Sequence, residues 1–168
     1  EISCSLVGSE MCIRDRYWRD VGTIDSLWEA NMELLDENPQ IDLNDDKMRI
    51  YTRNFSLPPH YIAPGASVKN SILADGCVIE GEVENCVIHS GVKIGKGSVV
   101  KNSVIMKDTV VRTDCQIDKA LIDEEVVIEQ GCKVGEGNNV TVIGYHCVAL
   151  ENATVEDGAM IYPDTILH

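Results

Sequence analysis

Aliphatic residues recur at a regular interval along the last two thirds of the chain. Starting at Ile62, one stands at every sixteenth position through six units, and columns of small or aliphatic residues follow five and ten positions later in the first four units. The string Val-Lys-Asn-Ser at residues 68–71 returns at residues 100–103, after two units. The main column comprises Ile62, Val78, Ile94, Val110, Val126 and Val142. Such a period identifies a repeat protein before any single motif is considered.

A unit of sixteen residues is too short for a pair of helices, but it fits one coil built from three short strands. Coils of this kind stack at the ~4.8 Å spacing of neighbouring strands, and each side of a coil points one aliphatic side chain inward. Glycines, together with Asn138 and Asn139, supply the backbone freedom that the turns need. The pattern predicts a mostly β protein with a parallel β-helix of the hexapeptide type over residues 62–168, in which Val110 points inward and Lys101 points outward.

A helical pattern precedes the repeat. Thr23 is a suitable N-cap, Asp25 would lie in the electropositive first turn, and Asn38-Pro39 would end the helix. The apolar face follows the spacing i, i+3, i+4, i+7 and consists of Ile24, Leu27, Trp28, Asn31, Leu34 and Leu35. We therefore predict one amphipathic α-helix ahead of the β-helix.

Two further segments complete the predicted organisation. Residues 1–16 show no periodicity or capping pattern, and residues 6–15 match one reading frame of a common transposon-based sequencing adapter. We expect a non-native leader whose deletion leaves the melting temperature unchanged. Residues 39–61 form a connecting segment, in which Met48, Ile50 and Thr52 alternate with polar residues and suggest a strand. Pro58-Pro59 would then give an extended approach to the first coil.

Charge and cysteine usage narrow the function classes. The chain has 28 acidic and 14 basic residues, a formal net charge of −14, so electrostatic binding to nucleic acid is not expected. Seven cysteines include no C-x-x-C pair, and five of them lie within the repeat, so we expect reduced, small core residues in a cytoplasmic protein. No apolar run approaches the ~20 residues of a membrane span, and we expect no membrane partner.

The segment that leads into the helix carries a family resemblance. Residues 17–31 have the sequence YWRDVGTIDSLWEAN. This string resembles the end of the catalytic domain of sugar-1-phosphate nucleotidyltransferases, and most of all that of bacterial glucose-1-phosphate adenylyltransferases (ADP-glucose pyrophosphorylases), in which a left-handed parallel β-helix follows. The resemblance covers residues 17–168 and implies that residues 17–38 are the last part of an α/β nucleotidyltransferase domain. It also implies that Asp20 is a ligand of the catalytic Mg²⁺ and that Trp18 lies near the bound sugar.

The same resemblance implies a reaction for the full-length parent. ATP and glucose 1-phosphate would give ADP-glucose and pyrophosphate for glycogen biosynthesis, with Mg²⁺ as cofactor. The β-helix would serve oligomerisation, as a homo- or hetero-tetramer, and regulation by metabolites. The glycine-rich nucleotide loop and the remaining catalytic residues are absent here, so we expect this chain alone to be inactive. The alternatives are a regulatory-type subunit of the same family and a hexapeptide-repeat acyltransferase.

Other candidate residues have structural explanations. His89 or His146 could activate an acceptor hydroxyl in an acyltransferase, but no accompanying motif is present, and we expect turn or surface histidines. The four histidines, His60, His89, His146 and His168, share no common period, so a three-histidine zinc site is not expected. Residues 91–97 depart from the phosphate-loop pattern and are predicted to be β-helix turns. Their two lysines, with Lys101, could contribute to an effector-anion patch, although a solvated face is the simpler interpretation.

Overall fold

The structure is a computed structural model that describes residues 18–41, 43 and 56–168. The predicted leader at residues 1–16 lies outside the described residues. So does most of the connecting segment, including the strand predicted around Met48, Ile50 and Thr52. The fold below is therefore that of the helix and of the repeat.

The predicted helix is present and begins at the predicted cap. Helix α1 spans Ile24–Met32 and continues as a 3₁₀-helix over Glu33–Leu35. Thr23 caps it through a reciprocal capping box, in which the Ser26 N–H donates to Thr23 Oγ1 and the Thr23 N–H donates to Ser26 Oγ, each at 3.1 Å. Asp25 lies in the first turn, where its negative charge interacts favourably with the positive end of the helix dipole.

Residues 61–167 form nineteen strands of two or three residues each. In chain order they are β1 (Tyr61–Ile62), β2 (Ser67–Lys69), β3 (Ile72–Leu73), β4 (Val78–Ile79), β5 (Glu82–Glu84), β6 (Val87–Ile88), β7 (Lys93–Ile94), β8 (Val99–Lys101), β9 (Val104–Ile105), β10 (Val110–Val111), β11 (Gln116–Asp118), β12 (Ala120–Ile122), β13 (Val127–Ile128), β14 (Lys133–Gly135), β15 (Thr141–Ile143), β16 (Val148–Ala149), β17 (Thr154–Val155), β18 (Met160–Ile161) and β19 (Ile166–Leu167).

These strands form three parallel sheets that enclose a narrow core. Sheet A runs β1-β4-β7-β10-β13-β16-β19, sheet B runs β2-β5-β8-β11-β14-β17, and sheet C runs β3-β6-β9-β12-β15-β18. Every third strand joins the same sheet, so the chain passes from A to B to C in each coil. This arrangement confirms the predicted parallel β-helix, which one helix precedes within the described residues. We number the coils 1–7 by their strand in sheet A.

Side chains alternate between the core and the outside along each strand, as the pleat requires. In sheet A the inward position is filled in successive coils by Ile62, Ile79, Ile94, Val111, Ile128, Ala149 and Leu167. Cysteine, valine or threonine supplies a second inward residue two positions earlier in several coils, for example Cys77 before Ile79 and Val126 before Ile128. Among the described residues, the core is therefore a stack of aliphatic layers that contains no aromatic ring.

The predicted inward column is wrong at half of its positions. Three residues of the predicted column do point inward, namely Ile62, Ile94 and Val126. The other three residues of the column lie at outward positions, namely Val78, Val110 and Val142. A one-residue slip turns a side chain to the other face of a strand. Val110 thus points outward, and Val111, with 1% of its surface exposed, points into the core.

The disagreement arises because the coils differ in length. The interval between inward residues of sheet A is longer than sixteen from Ile62 to Ile79 and shorter than sixteen from Ile79 to Ile94. These two departures cancel, which explains why Ile62 and Ile94 both fit the prediction. The interval is longest between Ile128 and Ala149, where coil 5 has an extended corner.

Most of the variation in coil length occurs at the corners between sheets. The corner between sheets B and C is short in coils 1–4, and there Asn70, Asn85, Asn102 and Lys119 each take a positive φ. Asparagine adopts this conformation more readily than most residues. The amides also form a ladder, in which Asn70 donates to Asn85 (3.0 Å), Asn85 to Asn102 (2.8 Å) and Asn102 to Asp118 (2.8 Å). Lys101, predicted to point outward, is exposed on the neighbouring edge of sheet B, which confirms that prediction.

Helix α1 packs on the outer face of sheet C. The outward residues Val87, Val104 and Leu121, from coils 2–4, are buried together with Val140 in a second apolar cluster outside the β-helix core. The helix contributes Ile24, Leu27, Trp28, Met32 and Leu35 to this cluster. Of the predicted apolar face, Ile24, Leu27, Trp28 and Leu35 contact the β-helix. The prediction is wrong for Leu34, which lines a groove on another side of α1, and it missed Met32.

Candidate functional site

The segment that precedes α1 is held against the helix by charge pairs. Arg19 contacts the carboxylates of Glu29 and Glu33, one turn apart on the exposed side of α1. Asp20 is exposed, and its Oδ1 accepts the N–H of Gly22 at 2.9 Å. A Cβ at position 22 would lie 3.1 Å from that same oxygen, so glycine leaves room for this tight turn. The result is an ordered turn that places Asp20 three residues ahead of the helix cap.

The two residues that the resemblance assigns to substrate or metal both face solvent. Trp18 has 79% of its surface exposed, and Asp20 is exposed close to it in sequence. The Asp20 carboxylate is an oxygen ligand of the kind that Mg²⁺ prefers. Among the described residues, no three or more His, Cys, Asp or Glu side chains lie together as they would to hold a metal ion.

Polar contacts add to the apolar packing between α1 and the β-helix. The Trp28 indole N–H donates to the backbone carbonyl of Asn102 at 2.8 Å. The Lys119 ammonium lies 5.3 Å from the centroid of the Trp28 ring, within the range of a cation–π contact. The same ammonium donates to the carbonyl of Asn138, in the extended corner of coil 5. Trp28 is thus fixed both to the short corners of coils 3 and 4 and, through Lys119, to that extended corner.

The outward residues that receive the helix are Val87, Val104 and Leu121, and the sixteen-residue period did not predict a packed helix on them. The intervals from Val87 to Val104 and from Val104 to Leu121 are equal, and each is one residue longer than the predicted unit. A search at this longer period would have aligned the three residues as one outward column. Their apolar character would then have indicated that this face of the β-helix is covered.

The side of α1 turned away from the β-helix is also partly apolar. Val21, Ala30, Leu34, Ile41 and Leu43 line a groove of about 300 Å³ with Arg19 and Glu33 at its polar edge. Val21 and Leu43 are about half exposed. A helix with apolar residues on two sides is typical of an element that lies between two packed layers.

The histidines and lysines considered from the sequence do not converge on one site. His60 and His168 flank the first and last strands of sheet A, about six strand spacings or ~29 Å apart. His146 lies in a corner with positive φ and its Nδ1 is 3.0 Å from Asp164 Oδ1, whereas His89 is an exposed residue that follows β6. Lys93 lies on sheet A and Lys101 on sheet B, so the two lysines face different sides.

The five described cysteines are free thiols inside the β-helix, which confirms the prediction that they are small core residues. Burial raises the pKa of the Cys86 thiol to about 12, and it raises the pKa of the Cys77, Cys115 and Cys132 thiols as well. Thiols with raised pKa values are poor nucleophiles at neutral pH. Within the described part of the chain, no helix combines the length and the apolar character that a membrane crossing requires.

Comparison with known proteins gives two family matches. Residues 63–151 match the family described as GlmU-like, C-terminal hexapeptide, and residues 5–37 match the nucleotidyl transferase family. The second match includes α1 and ends shortly after the 3₁₀-helix, so the helix and the β-helix match different families. It begins inside the predicted leader, and the boundary at residue 16 therefore stays a prediction.

Several curated proteins named glucose-1-phosphate adenylyltransferase are similar to this chain. The protein from Desulforamulus reducens is 46% identical over 119 residues, which is 71% of this chain and 30% of the relative. The protein from Acetivibrio thermocellus is 39% identical over 164 residues (90% and 37%), and that from Clostridium perfringens strain 13 is 42% identical over 146 residues (86% and 37%). The chain thus spans about a third of the length of these relatives. Because the hexapeptide match covers just over half of the chain and the fold agrees with it, the chain belongs to the GlmU-like, C-terminal hexapeptide family.

Proposed function

We propose that this chain is the C-terminal part of a glucose-1-phosphate adenylyltransferase, which makes ADP-glucose and pyrophosphate from ATP and glucose 1-phosphate. The observation that carries the proposal is the junction of α1 with sheet C. A helix that matches the nucleotidyl transferase family lies on a hexapeptide β-helix through a buried apolar cluster, and relatives with that name share both parts of the sequence. The similarity extends over 90% of the chain in one of these relatives.

The apolar groove on the far side of α1 supports the proposal that α1 belongs to a larger nucleotidyltransferase domain. Its apolar lining of Val21, Ala30, Leu34, Ile41 and Leu43 would pack against the rest of that domain, which would contain the nucleotide-binding loop. The described residues hold one candidate metal ligand and no cluster of ligands. Catalysis would therefore need residues beyond those described, and the chain alone is expected to be inactive.

Within the complete enzyme, Asp20 and Trp18 would lie at the substrate side of the domain. Asp20 would provide one carboxylate ligand to Mg²⁺, which when bound would neutralise the charge of the reacting phosphates. The turn closed by the Gly22 N–H would orient that carboxylate, and the two Arg19 contacts would fix the turn on α1. Trp18, with its ring exposed, would contact the sugar. The β-helix would contribute to oligomerisation and to regulation by metabolites.

A chimera tests this proposal. The catalytic part of the Acetivibrio thermocellus relative would be joined to residues 17–168 of this chain at the position aligned with Tyr17. ADP-glucose and pyrophosphate formation would then be measured with ATP, glucose 1-phosphate and varied Mg²⁺. We expect an active chimera, and no product from the 168-residue chain alone. An inactive but folded chimera would contradict the proposal, and so would product formation by the chain alone.

The same chimera tests Asp20. Asp20→Asn keeps the shape of the side chain and removes its charge, so we expect turnover to fall by roughly 10²-fold or more and the Mg²⁺ requirement to rise. Asp25→Asn is the matched control, because Asp25 is an acid of the same kind in the first turn of α1 and has no assigned role in catalysis. Equal activity and Mg²⁺ dependence of the Asp20 variant and the unmodified chimera would show that Asp20 is not a metal ligand.

A regulatory-type subunit of the same family remains the second candidate. It would share the α1–sheet C junction and differ in the catalytic residues that precede it. In the chimera those residues come from the relative, so activity there would support the family assignment for this chain. Assay of the natural full-length protein would then decide between a catalytic and a regulatory subunit.

A further inference from the structure

The corner between sheets A and B is shorter in coil 2 than in the coils on either side of it. In coils 1, 3, 4, 5 and 6, four residues connect the strand of sheet A to the strand of sheet B, whereas in coil 2 only Glu80 and Gly81 do so. The corner of coil 2 is therefore recessed between those of coils 1 and 3. The recess has a volume of about 380 Å³ and is lined by residues 63–65, 80–82 and 96–99; we call it the A–B notch.

A repeated backbone hydrogen bond links the four-residue corners to one another. The N–H of the third corner residue donates to the carbonyl of the second corner residue in the preceding coil. The pairs are Asp114 with Lys96 (3.1 Å), Gly131 with Thr113 (3.1 Å) and Asn152 with Gln130 (2.9 Å). Coil 2 has no residue at either of these two corner positions, so the series of bonds is interrupted at the notch.

The interruption leaves one donor and one acceptor on opposite sides of the notch. Gly97, the third corner residue of coil 3, has nearly the same φ as Gly131 (79° and 75°), and by this equivalence its N–H points toward coil 2. The equivalent acceptor in coil 1 is the carbonyl of Pro64. Within the part of the chain that the structure describes, neither group forms a backbone hydrogen bond.

A single peptide group has the geometry to connect these two groups. Coils 1 and 3 are two strand spacings apart, about 9.5 Å, so a group midway between them lies at a hydrogen-bonding spacing from each. A trans peptide directs its C=O and its N–H to opposite sides. Its carbonyl could therefore accept from the Gly97 N–H while its N–H donates to the Pro64 carbonyl.

Three charged side chains surround the notch. Glu80 and Glu82 belong to coil 2 and Lys96 to coil 3, and all three are exposed. The ion pairs formed between described residues include none of them. Two carboxylates and one ammonium complement a ligand that carries an ammonium at one end and a carboxylate at the other.

We propose that the A–B notch binds a free dipeptide, whose peptide group lies at the level of the two corner positions that coil 2 lacks. The ammonium of the ligand contacts Glu80 and Glu82, and its carboxylate contacts Lys96. The peptide group bonds to the Gly97 N–H and to the Pro64 carbonyl. The inference uses residues of the β-helix alone and does not rest on the proposed enzymatic activity.

The corner geometry also predicts the stereochemistry of the ligand. The third residue of every four-residue corner has a positive φ, between 59° and 91°, and these residues are Gly65, Gly97, Asp114, Gly131 and Asn152. Glycine and D-residues adopt this conformation readily, whereas most L-residues do not. The second residue of the dipeptide should therefore be glycine or a D-residue, so that Ala-Gly and L-Ala-D-Ala bind better than L-Ala-L-Ala.

Titration of the isotope-labelled 168-residue chain, followed by its amide NMR resonances, tests the site. We expect Ala-Gly and L-Ala-D-Ala to shift the Gly97 amide resonance saturably, with dissociation constants on the order of 1 mM. The Gly131 resonance is the internal control, because its N–H already donates to Thr113 O. L-Ala-L-Ala should bind about tenfold more weakly. The ester analogue of Ala-Gly, which has no peptide N–H, should bind about fivefold more weakly.

Two variants test the protein side of the contact. Lys96→Met removes the partner of the ligand carboxylate and should weaken binding about fivefold. Lys93→Met is the matched control, because Lys93 points outward from sheet A and does not line the notch. Insertion of Lys-Gly between Glu80 and Gly81 copies residues 96–97 and gives coil 2 a four-residue corner. This insertion should abolish binding, and circular dichroism and melting would confirm that the variant is folded.

Several results would overturn the proposal. These are an unchanged Gly97 resonance with all the dipeptides, equal affinity for L-Ala-D-Ala and L-Ala-L-Ala, and a folded insertion variant that still binds. Ala-Gly with acetylated and amidated ends should bind more weakly than the free dipeptide, because it lacks both charges. Tighter binding of the capped form would assign the notch to a segment of a longer polypeptide and overturn the free dipeptide as its ligand. If the insertion variant does not fold, Lys96→Met and the ester analogue still test the site.

Discussion

Sheets A and C have outer faces of similar apolar character, and only sheet C has a described element packed on it. On sheet C, Val87, Val104 and Leu121 are buried beneath α1. On sheet A, the valines at the equivalent outward positions are partly exposed. The third face differs from both, because the outward row of sheet B consists mainly of polar residues, namely Ser67, Glu82, Val99, Gln116, Lys133 and Thr154.

This difference shows that the inward and outward positions of the repeat are subject to different requirements. The inward positions hold valine, isoleucine or leucine on nearly every coil of all three sheets, since every side of the coil must fill the same narrow core. The outward positions are free of that requirement, and their composition follows what lies against them. An apolar outward row on a β-helix therefore indicates a covered face, and sheet C provides the observed example.

The largest expected effect contrasts the inside of sheet A with its outside. Val111→Asp would bury an unpaired carboxylate between Ile94 and Ile128, and it should lower the free energy of unfolding by roughly 3 kcal/mol or more. Val110→Asp, one residue earlier, should cost less than about 1 kcal/mol, because its side chain reaches solvent. Urea unfolding followed by circular dichroism measures both. Equal losses in the two variants would contradict the observed register.

A smaller effect should distinguish sheet C from sheet B within a single coil. Val104 and Val99 both point outward from coil 3, but Val104 is fully buried under α1 and Val99 is partly exposed. Val104→Asp should cost about 2–4 kcal/mol and release α1, whereas Val99→Asp should stay within about 0.5 kcal/mol of the unmodified chain.

The emission of Trp28 supplies a second measurement for this pair, because release of α1 would expose its ring to water. Trp18 is already exposed, and its emission should not change. If the Val104 variant kept both its stability and its tryptophan emission, α1 would not depend on sheet C for its position.

The smallest effect concerns the polar contacts of α1. Trp28→Phe keeps a ring in the apolar cluster and removes the indole N–H that donates to Asn102 O. It also weakens the cation–π contact with Lys119. We expect a loss of about 1–2 kcal/mol, and about 0.5–1 kcal/mol for Lys119→Met, which removes the cation–π contact together with the hydrogen bond to Asn138 O. Thermal unfolding of the two single variants and the double variant gives the coupling between them. Fully additive losses would show that Lys119 stabilises the chain independently of Trp28.

Several features of the fold followed from the sequence. The aliphatic repeat predicted a parallel β-helix, because short strands that face a common core must repeat their apolar residues once per coil. Thr23, with Asn38-Pro39, predicted the position of α1, since caps and helix breakers act within a few residues. The buried state of Cys77, Cys86, Cys115, Cys132 and Cys147 followed from their positions in apolar segments. The domain boundaries and the roles of Asp20 and Trp18 stay predictions.

Only the tertiary structure decided the register and the use of each face. Coil length depends on how many residues each corner needs, so the unequal intervals between inward residues cannot be recovered from an averaged period. Whether Val110 or Val111 enters the core depends on the backbone hydrogen bonds that pair each coil with the next. The packing of α1 on Val87, Val104 and Leu121 likewise joins residues far apart in sequence. A local sequence pattern does not predict such a long-range contact. The sequence alone therefore determined what is repeated, and the stacking of the coils determined which side chains point inward and which outward row lies under α1.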